Sequence, residues 1–145
     1  MPTQHKVAIA SDHAGFGLKS ELVTLLTEQG HTVIDLGTGN DADSVDYPDF
    51  GRAVAQAVTS GDAAFGVAVC GTGIGISIAA NRLSGCRAAL CHDVTTARLS
   101  RQHNDANVLA LGARVIGPAV ARECLEAFLD TGFEGGRHQR RLDKL

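Results

Sequence analysis

The segment from Val67 to Ala80 restricts the possible folds of this chain more than any other. An apolar run ends at Cys70, glycines follow at positions 71, 73 and 75, and a stretch of small and apolar residues comes next. This pattern is typical of a buried strand, a tight turn and the start of a helix. Such a turn leaves several backbone N–H groups free to bind an anion, and a helix N-terminus favours a thiolate beside it. The segment therefore predicts a nucleophile or base next to a cradle for negative charge.

Spacing excludes three well-known phosphate motifs in this segment. The dinucleotide fingerprint requires a glycine at the position of Ile76, and a P-loop requires a lysine after the glycines, where this chain has none. A cysteine phosphatase would need an arginine at Ile76. What remains is a site for an oxyanion or hydroxyl that supplies no cation of its own. The structural alternative is a close-packed glycine turn with Cys70 as a small buried hydrophobe.

Short apolar runs alternate with helical patterns along the whole chain. The runs are continuously apolar, which is typical of parallel strands covered by helices on both faces. We therefore predict an α/β protein with a three-layer, Rossmann-like (flavodoxin-like) fold around a doubly wound, five-stranded parallel sheet. The predicted strands are 7–10, 32–36, 64–70, 87–91 and 108–111, and the predicted helices are 18–26, 50–58, 74–82, 95–102 and 118–129.

Length and composition limit the possible functions. The 145 residues are expected to form a single domain, residues 1–145, with a basic tail at 134–145. The net charge of −3 and the aromatic content of 4% argue against a nucleic-acid partner. No apolar run approaches the length of a membrane span, and the N-terminus lacks the apolar core of a signal peptide, so we expect a cytoplasmic protein with no membrane partner.

The cysteines show neither a Cys-x-x-Cys pair nor the spacing of a zinc site. Free thiols are the economical interpretation, and we expect no metal centre. The cysteines are Cys70, Cys86, Cys91 and Cys124.

Ligands of an open parallel sheet bind beyond the carboxyl ends of the strands, so the residues that follow each strand are candidates for a site. We expect them to converge on one edge, together with the end of the helix after strand four. The candidates are Asp12 and His13 after strand one, the Cys70 turn after strand three, His92 and Asp93 after strand four, Arg114 after strand five, and His103 and Asn104 at the helix end. Each has a structural alternative: Asp12 and Asp93 are suited to capping helices, His103 to a structural role, and the basic tail to a solvated chain end.

Five motifs together resemble those of the type B ribose-5-phosphate isomerases and of related sugar-phosphate isomerases, which include the galactose-6-phosphate enzymes. The resemblance covers nearly the whole chain, in order and at family spacing. The motifs are residues 11–15 (SDHAG), 46–48 (DYP), 70–81 (CGTGIGISIAAN), 100–104 (SRQHN) and 135–141 (GGRHQRR).

The resemblance implies an aldose–ketose isomerase of the pentose phosphate pathway that needs no metal and no organic cofactor. The family interconverts ribose 5-phosphate and ribulose 5-phosphate through a cis-enediolate. By resemblance Cys70 is the base that moves the proton between C2 and C1. Some members carry Ser at this position and use a Glu four residues later, where this chain has Ile74. His103, with Asp12 nearby, is implied in opening the sugar ring.

The resemblance also implies a set of binding residues. Thr72 and Tyr47 would contact the reacting or ring oxygens, and Asn104 the substrate hydroxyls. The full substrate-binding set is Asp12, His13, Tyr47, Gly71, Thr72, Gly73, Ile74, Gly75 and Asn104, with Thr72 and Asp12 also counted as catalytic. The phosphate-binding set is His13, Arg114, Arg137 and Arg141.

A homodimer or a dimer of dimers, with shared active sites, is part of the same expectation. The arginines of the tail would come from the partner subunit, because the glycines at 135 and 136 allow the segment to leave its own domain.

Three other functions stay open on the residues alone. A six-carbon sugar phosphate, such as allose or galactose 6-phosphate, is an alternative substrate. A nucleotide- or flavin-binding module is a non-enzymatic alternative, although one Tyr and no Trp offer little stacking surface for a flavin. A thiol-redox protein would need a second cysteine near Cys70, and no Cys-x-x-Cys is present.

Overall fold

Five parallel strands lie at the centre of the computed structural model, which describes residues 3–145. All four strand pairs are parallel, and the order across the sheet is β2-β1-β3-β5-β4. The three central strands are buried almost throughout, which explains their continuous apolar sequences. The strands are β1 (Lys6–Ser11), β2 (Thr32–Asp35), β3 (Phe65–Cys70), β4 (Ala88–Leu90) and β5 (Val108–Gly112).

Helices cover both faces of the sheet. On one face, leucines of α1 and apolar residues of α4 and α5 pack on β1, β3 and β5. On the other face, α2 and α3 form a second apolar cluster with the opposite sides of the same strands. The helices are α1 (Phe16–Glu28), α2 (Tyr47–Thr59), α3 (Ile74–Ala80), α4 (Val94–Asn104), α5 (Pro118–Asp130) and α6 (Arg137–Leu142).

The predicted fold class is confirmed: the sheet is parallel, five-stranded and covered by helices on both sides. Strand order within the class was not predicted. The flavodoxin order is 2-1-3-4-5, whereas here β5 lies between β3 and β4. The chain reverses direction across the sheet between β1 and β3, so the crevice at their carboxyl ends is the expected ligand site.

The C-terminal tail is not the solvated chain end of the structural alternative, because it contains a helix. Residues Gly135 and Gly136 have φ of +68° and +57°, and the helix α6 follows them directly. The tail folds back on its own chain, because the N–H of Glu134 donates to the carbonyl of Gln102 at 3.1 Å and the His138 side chain is buried.

One buried ion pair fixes the loop between β2 and α2. The Lys19 side chain is only 3% exposed, and its Nζ donates to Asp35 Oδ1 at 2.7 Å and to the Thr38 carbonyl at 2.8 Å. The carboxylate of Asp35 remains 45% exposed, so the lysine carries most of the desolvation cost.

None of the helices in the described part of the chain combines the length and hydrophobicity that a membrane span requires.

Candidate active site

The turn after β3 holds the Cys70 sulfur against a backbone N–H. Gly73 has φ of +78°, and its N–H donates to Cys70 Sγ at 3.1 Å. Only glycine fits here, because a Cβ would lie 2.5 Å from Leu90 Cδ1 and 2.9 Å from the Leu111 carbonyl carbon. The Cys70 side chain is nearly buried, with 4% exposure. The turn therefore holds the sulfur in a defined position by donating a hydrogen bond to it.

Other N–H groups of the turn are available to a ligand. The N–H of Ile74 donates to Thr72 Oγ1 at 3.1 Å and so is used within the turn. The hydrogen bonds among residues 3–145 give no acceptor to the N–H groups of Gly71, Thr72 and Gly75. The expected cradle is thus smaller than the whole turn, since Gly73 and Ile74 donate internally.

Close contacts on both sides fix the turn. A Cβ on Gly75 would lie 2.5 Å from Cε1 and Cζ of Tyr47, so the tyrosine ring lies directly on the turn. A Cβ on Gly112 would lie 2.5 Å from the Thr72 carbonyl oxygen, so the end of β5 supports the turn from the other side. Tyr47 is 41% exposed at the start of α2, which leaves its ring accessible to a bound molecule.

Asp12 and His13 follow β1 at the same edge of the sheet. Asp12 Oδ1 accepts from the N–H of Gly15 at 3.0 Å, within the turn that precedes α1, and does not cap the helix as the structural alternative expected. His13 Nδ1 accepts from the N–H of Val45 at 3.1 Å. This bond assigns the ring proton of neutral His13 to Nε2, which can then donate to an anion.

Arg114 brings a cation to this edge. The Ala113 and Arg114 N–H groups donate to the carbonyls of Cys70 and Gly71, each at 2.9 Å. A Cβ on Gly71 would lie 3.5 Å from Arg114 Nη1, so the guanidinium extends over the turn. No carboxylate among residues 3–145 pairs with it, and the side chain is exposed. The Arg114 cation, the His13 imidazole and the free N–H groups of the turn are therefore all at the carboxyl end of the sheet.

The structure corrects the predicted position of His103 and Asn104. They end α4, which returns to the amino end of β5, because the N–H of Ala106 donates to the Ser100 carbonyl at 3.0 Å. Cys70 pairs with Gly112 at the carboxyl end of the same strand. The five residues of β5 separate its amino end from its carboxyl end by about 16 Å. His103 and Asn104 therefore lie near the amino ends of the strands, whereas the Cys70 of their own chain lies at the carboxyl ends.

His103 instead forms a cluster with the tail. Its ring stacks on His138, with 4.4 Å between the centroids and 18° between the planes. Glu134 Oε1 lies 3.7 Å from His103 Nε2. Burial, and then the nearby His103, lower the pKa of His138. Arg137 and Arg141 are exposed on α6 beside this cluster, so the tail cations also lie away from their own Cys70 turn.

The remaining candidates are structural. Asp93 Oδ1 caps α4 by accepting from the N–H of Thr96 at 2.7 Å, which confirms the capping interpretation. All four cysteines are free thiols. Burial raises the pKa of Cys86 and of Cys124 to about 11 and also raises that of Cys91, so these three stay protonated at neutral pH. They are poor nucleophiles, and a redox function for the chain gains no support from them.

Comparisons with known proteins identify the family of this chain. The model of the ribose/galactose isomerase family matches residues 7–145. The chain belongs to this family. It is 49% identical over 140 residues to ribose-5-phosphate isomerase B of Escherichia coli, covering 97% of this chain and 93% of that protein. The solved structure of Clostridium thermocellum ribose-5-phosphate isomerase B is 52% identical and superimposes with a TM-score of 0.94 over 96% of this chain and 93% of the other.

Another relative shows the range of substrates in the family. The D-erythrulose-4-phosphate isomerase of Pectobacterium atrosepticum is 42% identical over 139 residues, covering 96% of this chain and 91% of that protein. The chain is therefore an isomerase of the sugar-phosphate class, and a non-enzymatic binding module is not supported.

Three features of this isomerase were not found from its sequence. The contact of Tyr47 with Gly75 joins residues far apart in the chain, although both were predicted separately. The only sequence signal for the Lys19–Asp35 pair is that Lys19 lies on the buried, otherwise leucine-rich face of α1, which indicates that the lysine has a partner. The cluster around His103 was missed because Glu134 and His138 follow it only after β5 and α5.

Proposed function

We propose that this isomerase interconverts ribose 5-phosphate and ribulose 5-phosphate through a cis-enediolate, with Cys70 as the base. The observation that carries the proposal is the position of Cys70 Sγ beside the free N–H groups of Gly71, Thr72 and Gly75. Proton removal next to a carbonyl needs a base and a stabiliser for the oxygen that becomes negative, and this turn offers both.

The proton balance assigns each step to a group. The Cys70 thiolate removes the proton from C2 of the open-chain aldose, and the carbonyl oxygen at C1 becomes an enediolate oxygen. The C2 hydroxyl loses its proton and the C1 oxygen gains one. The hydroxyl of Thr72 lies in the turn and carries this proton from the C2 oxygen to the C1 oxygen. Cys70 then returns its proton to C1, which gives the ketose. Each backbone donor to the enediolate is worth about 3–4 kcal/mol in reactions of this kind.

Phosphate recognition by one chain is incomplete. His13 and Arg114 lie at the Cys70 edge and can donate to a phosphate. A phosphate dianion favours further charge-assisted bonds, and Arg137 and Arg141 are exposed cations that lie away from their own Cys70. We therefore propose that they contact the phosphate bound by the partner of a homodimer.

Ring opening follows the same logic. His103 and Asn104 lie about one strand length from the Cys70 of their own chain, beyond the reach of any side chain. In a two-fold dimer the α4 end and the tail of one subunit meet the Cys70 turn of the other. His103 would then move the protons that open the furanose, and Asn104 would bind substrate hydroxyls. The free thiols fit the reducing environment of the cytoplasm, where we place the enzyme.

The direct test is a coupled assay of four-, five- and six-carbon aldose phosphates in the presence of a chelator. We expect the highest kcat/KM with ribose 5-phosphate. A higher kcat/KM with allose 6-phosphate, galactose 6-phosphate or a four-carbon substrate would show that ribose 5-phosphate is not the preferred substrate. The proposed type of reaction would then still stand. A reaction in D2O should place deuterium on the product carbon, since the proton passes through Cys70. Full retention of the substrate proton would contradict proton transfer by an exchangeable base.

A further inference from the structure

Three side chains capable of binding a metal meet where the tail packs on α4. One donor atom each of His103, Glu134 and His138 lie within 4.8 Å of one another. The closest measured pair is His103 Nε2 and Glu134 Oε1, at 3.7 Å. The two imidazole rings are stacked and nearly parallel, with centroids 4.4 Å apart, so the more exposed His103 ring must rotate out of the stack before both rings can direct a nitrogen at one ion.

The backbone around these residues is well fixed. The N–H of Glu134 donates to the Gln102 carbonyl at 3.1 Å, and the N–H of His138 donates to the Gly135 carbonyl at 3.1 Å. His138 is only 7% exposed, whereas the side chains of His103 and Glu134 are 39% and 52% exposed. One ligand is thus held in the protein, and the other two line an opening to solvent.

The donor set suits a borderline transition metal. Two imidazoles and one carboxylate, with a position left for water, are a known ligand set for Zn²⁺. Bond lengths of about 2.0–2.1 Å put tetrahedral donors about 3.3 Å apart, so a rotation of the exposed side chains would close the site. His138 is the donor that the fold holds most firmly, since it is only 7% exposed. The cations Arg137 and Arg141 act on the same imidazole and weaken the attraction for a metal.

We propose that His103, Glu134 and His138 bind a divalent transition metal ion, and that the bound ion withdraws His103 from the isomerase reaction. The first half rests on the geometry alone, and the second rests on the proposed function. Such an ion is an inhibitor and not a cofactor, since it occupies an imidazole that the ring-opening step needs free.

Binding is tested with Zn²⁺ by calorimetry and with Co²⁺ by its visible absorption, on the full chain stripped of metal. We expect one Zn²⁺ per chain. Loss of a ligand should weaken Zn²⁺ binding by about tenfold or more, because metal affinity falls by that much even when only a residue that hydrogen-bonds to a ligand is replaced. The variants are Glu134→Gln and His138→Gln. Glu126→Gln is the matched control, because it removes the same charge from an exposed position of α5.

The consequence is tested by adding Zn²⁺ to the isomerase assay. We expect inhibition of wild type and of Glu126→Gln that a chelator reverses. Glu134→Gln should need about tenfold more Zn²⁺ for the same fractional inhibition of its own rate.

The outcomes separate the two proposals. No Zn²⁺ binding by wild type, or equal binding by Glu134→Gln and His138→Gln, would overturn the metal site whatever the enzyme does. Binding at these residues without inhibition would overturn the effect on His103. A chain that binds Zn²⁺ here but isomerises no sugar phosphate would refute the proposed function and leave the metal site standing.

Discussion

The backbone N–H of Gly73 donates to Cys70 Sγ across a distance of 3.1 Å, within a turn whose left-handed glycine has no space for a side chain. This pairing distinguishes Cys70 from Cys86, Cys91 and Cys124, whose sulfurs accept no backbone N–H among residues 3–145. The strand, the turn and the helix start therefore act together to hold one sulfur in a defined position beside free N–H donors.

Replacement of Cys70 by Ala should lower kcat by about a thousandfold or more, with KM little changed, because the proposed mechanism then loses its general base while the binding groups remain. Steady-state assays with ribose 5-phosphate check this. Cys124→Ala is the matched control, since it makes the same change at a fully buried cysteine of α5. A Cys70→Ala enzyme that keeps more than a tenth of the wild-type rate would remove Cys70 from the mechanism.

Replacement of Gly75 by Ala should lower kcat/KM by about tenfold or more, because the new Cβ would lie 2.5 Å from the Tyr47 ring and displace it. The same change at Gly17, where a Cβ meets nothing within 4 Å, should leave activity unchanged. A double-mutant cycle provides the sharper check. In a Tyr47→Ala background Gly75→Ala should cost little more, and a full additional loss would show that the ring is not the cause.

The Lys19–Asp35 pair should respond unequally to loss of each partner. Asp35→Asn leaves a buried ammonium with neutral acceptors alone, the Thr38 carbonyl and the new amide oxygen, and should cost about 2 kcal/mol of unfolding free energy. Lys19→Met leaves a half-exposed carboxylate that water can solvate, and should cost less than about 1 kcal/mol. Urea denaturation of both variants measures the difference. Equal losses would mean that the desolvation of Lys19 does not dominate.

The sequence was sufficient for the fold class and for most groups at the Cys70 edge. Continuous apolar runs can be satisfied only inside a covered parallel sheet, and residues that follow such strands must lie at its carboxyl edge. Asp12, His13 and Arg114 were located by this rule alone. The order of β4 and β5 could not be obtained in this way, because both strands have apolar sequences and the half-buried edge strand β4 is as apolar as the buried β5.

The rule failed for residues at helix ends. His103 was grouped with Cys70 although the helix after a strand runs back toward the amino edge of the sheet. The tail helix was missed because its six residues are mostly polar and are stabilised by packing against α4, in particular by the buried His138. Local patterns carry no information about such a tertiary contact.

The unfolding free energy should decrease at alkaline pH because of the buried cysteines. Burial raises the pKa of Cys86 and Cys124 from 9.0 to about 11, so the unfolded chain loses their protons first. Their contribution is fully present below pH 9 and is lost as the pH rises toward 11. The melting temperature of the Cys86→Ala/Cys124→Ala double variant should decrease less over this pH range than that of the wild type. An identical slope would mean that other groups account for the loss.

Cys70 and His103 of one chain lie at opposite ends of the strands, and this separation predicts that two inactive variants can complement each other in a mixed dimer. Cys70→Ala and His103→Ala should each be nearly inactive, because each damages both sites of its own dimer. If His103 acts on the Cys70 of the partner, a hybrid dimer has one doubly damaged site and one intact site. Random exchange makes half of the dimers hybrids, so about a quarter of all sites should recover.

Exchange is verified by mixing differently tagged subunits and isolating the hybrid by both tags, which should then have about half of the wild-type activity per dimer. A mixture of Cys70→Ala with Cys70→Ala/His103→Ala is the control, because neither chain carries an intact Cys70 and no site can recover. If the isolated hybrid is no more active than its parents, His103 does not complete a neighbouring site. In that case the ring-opening group must be sought at the Cys70 edge itself, where His13 is the imidazole in place.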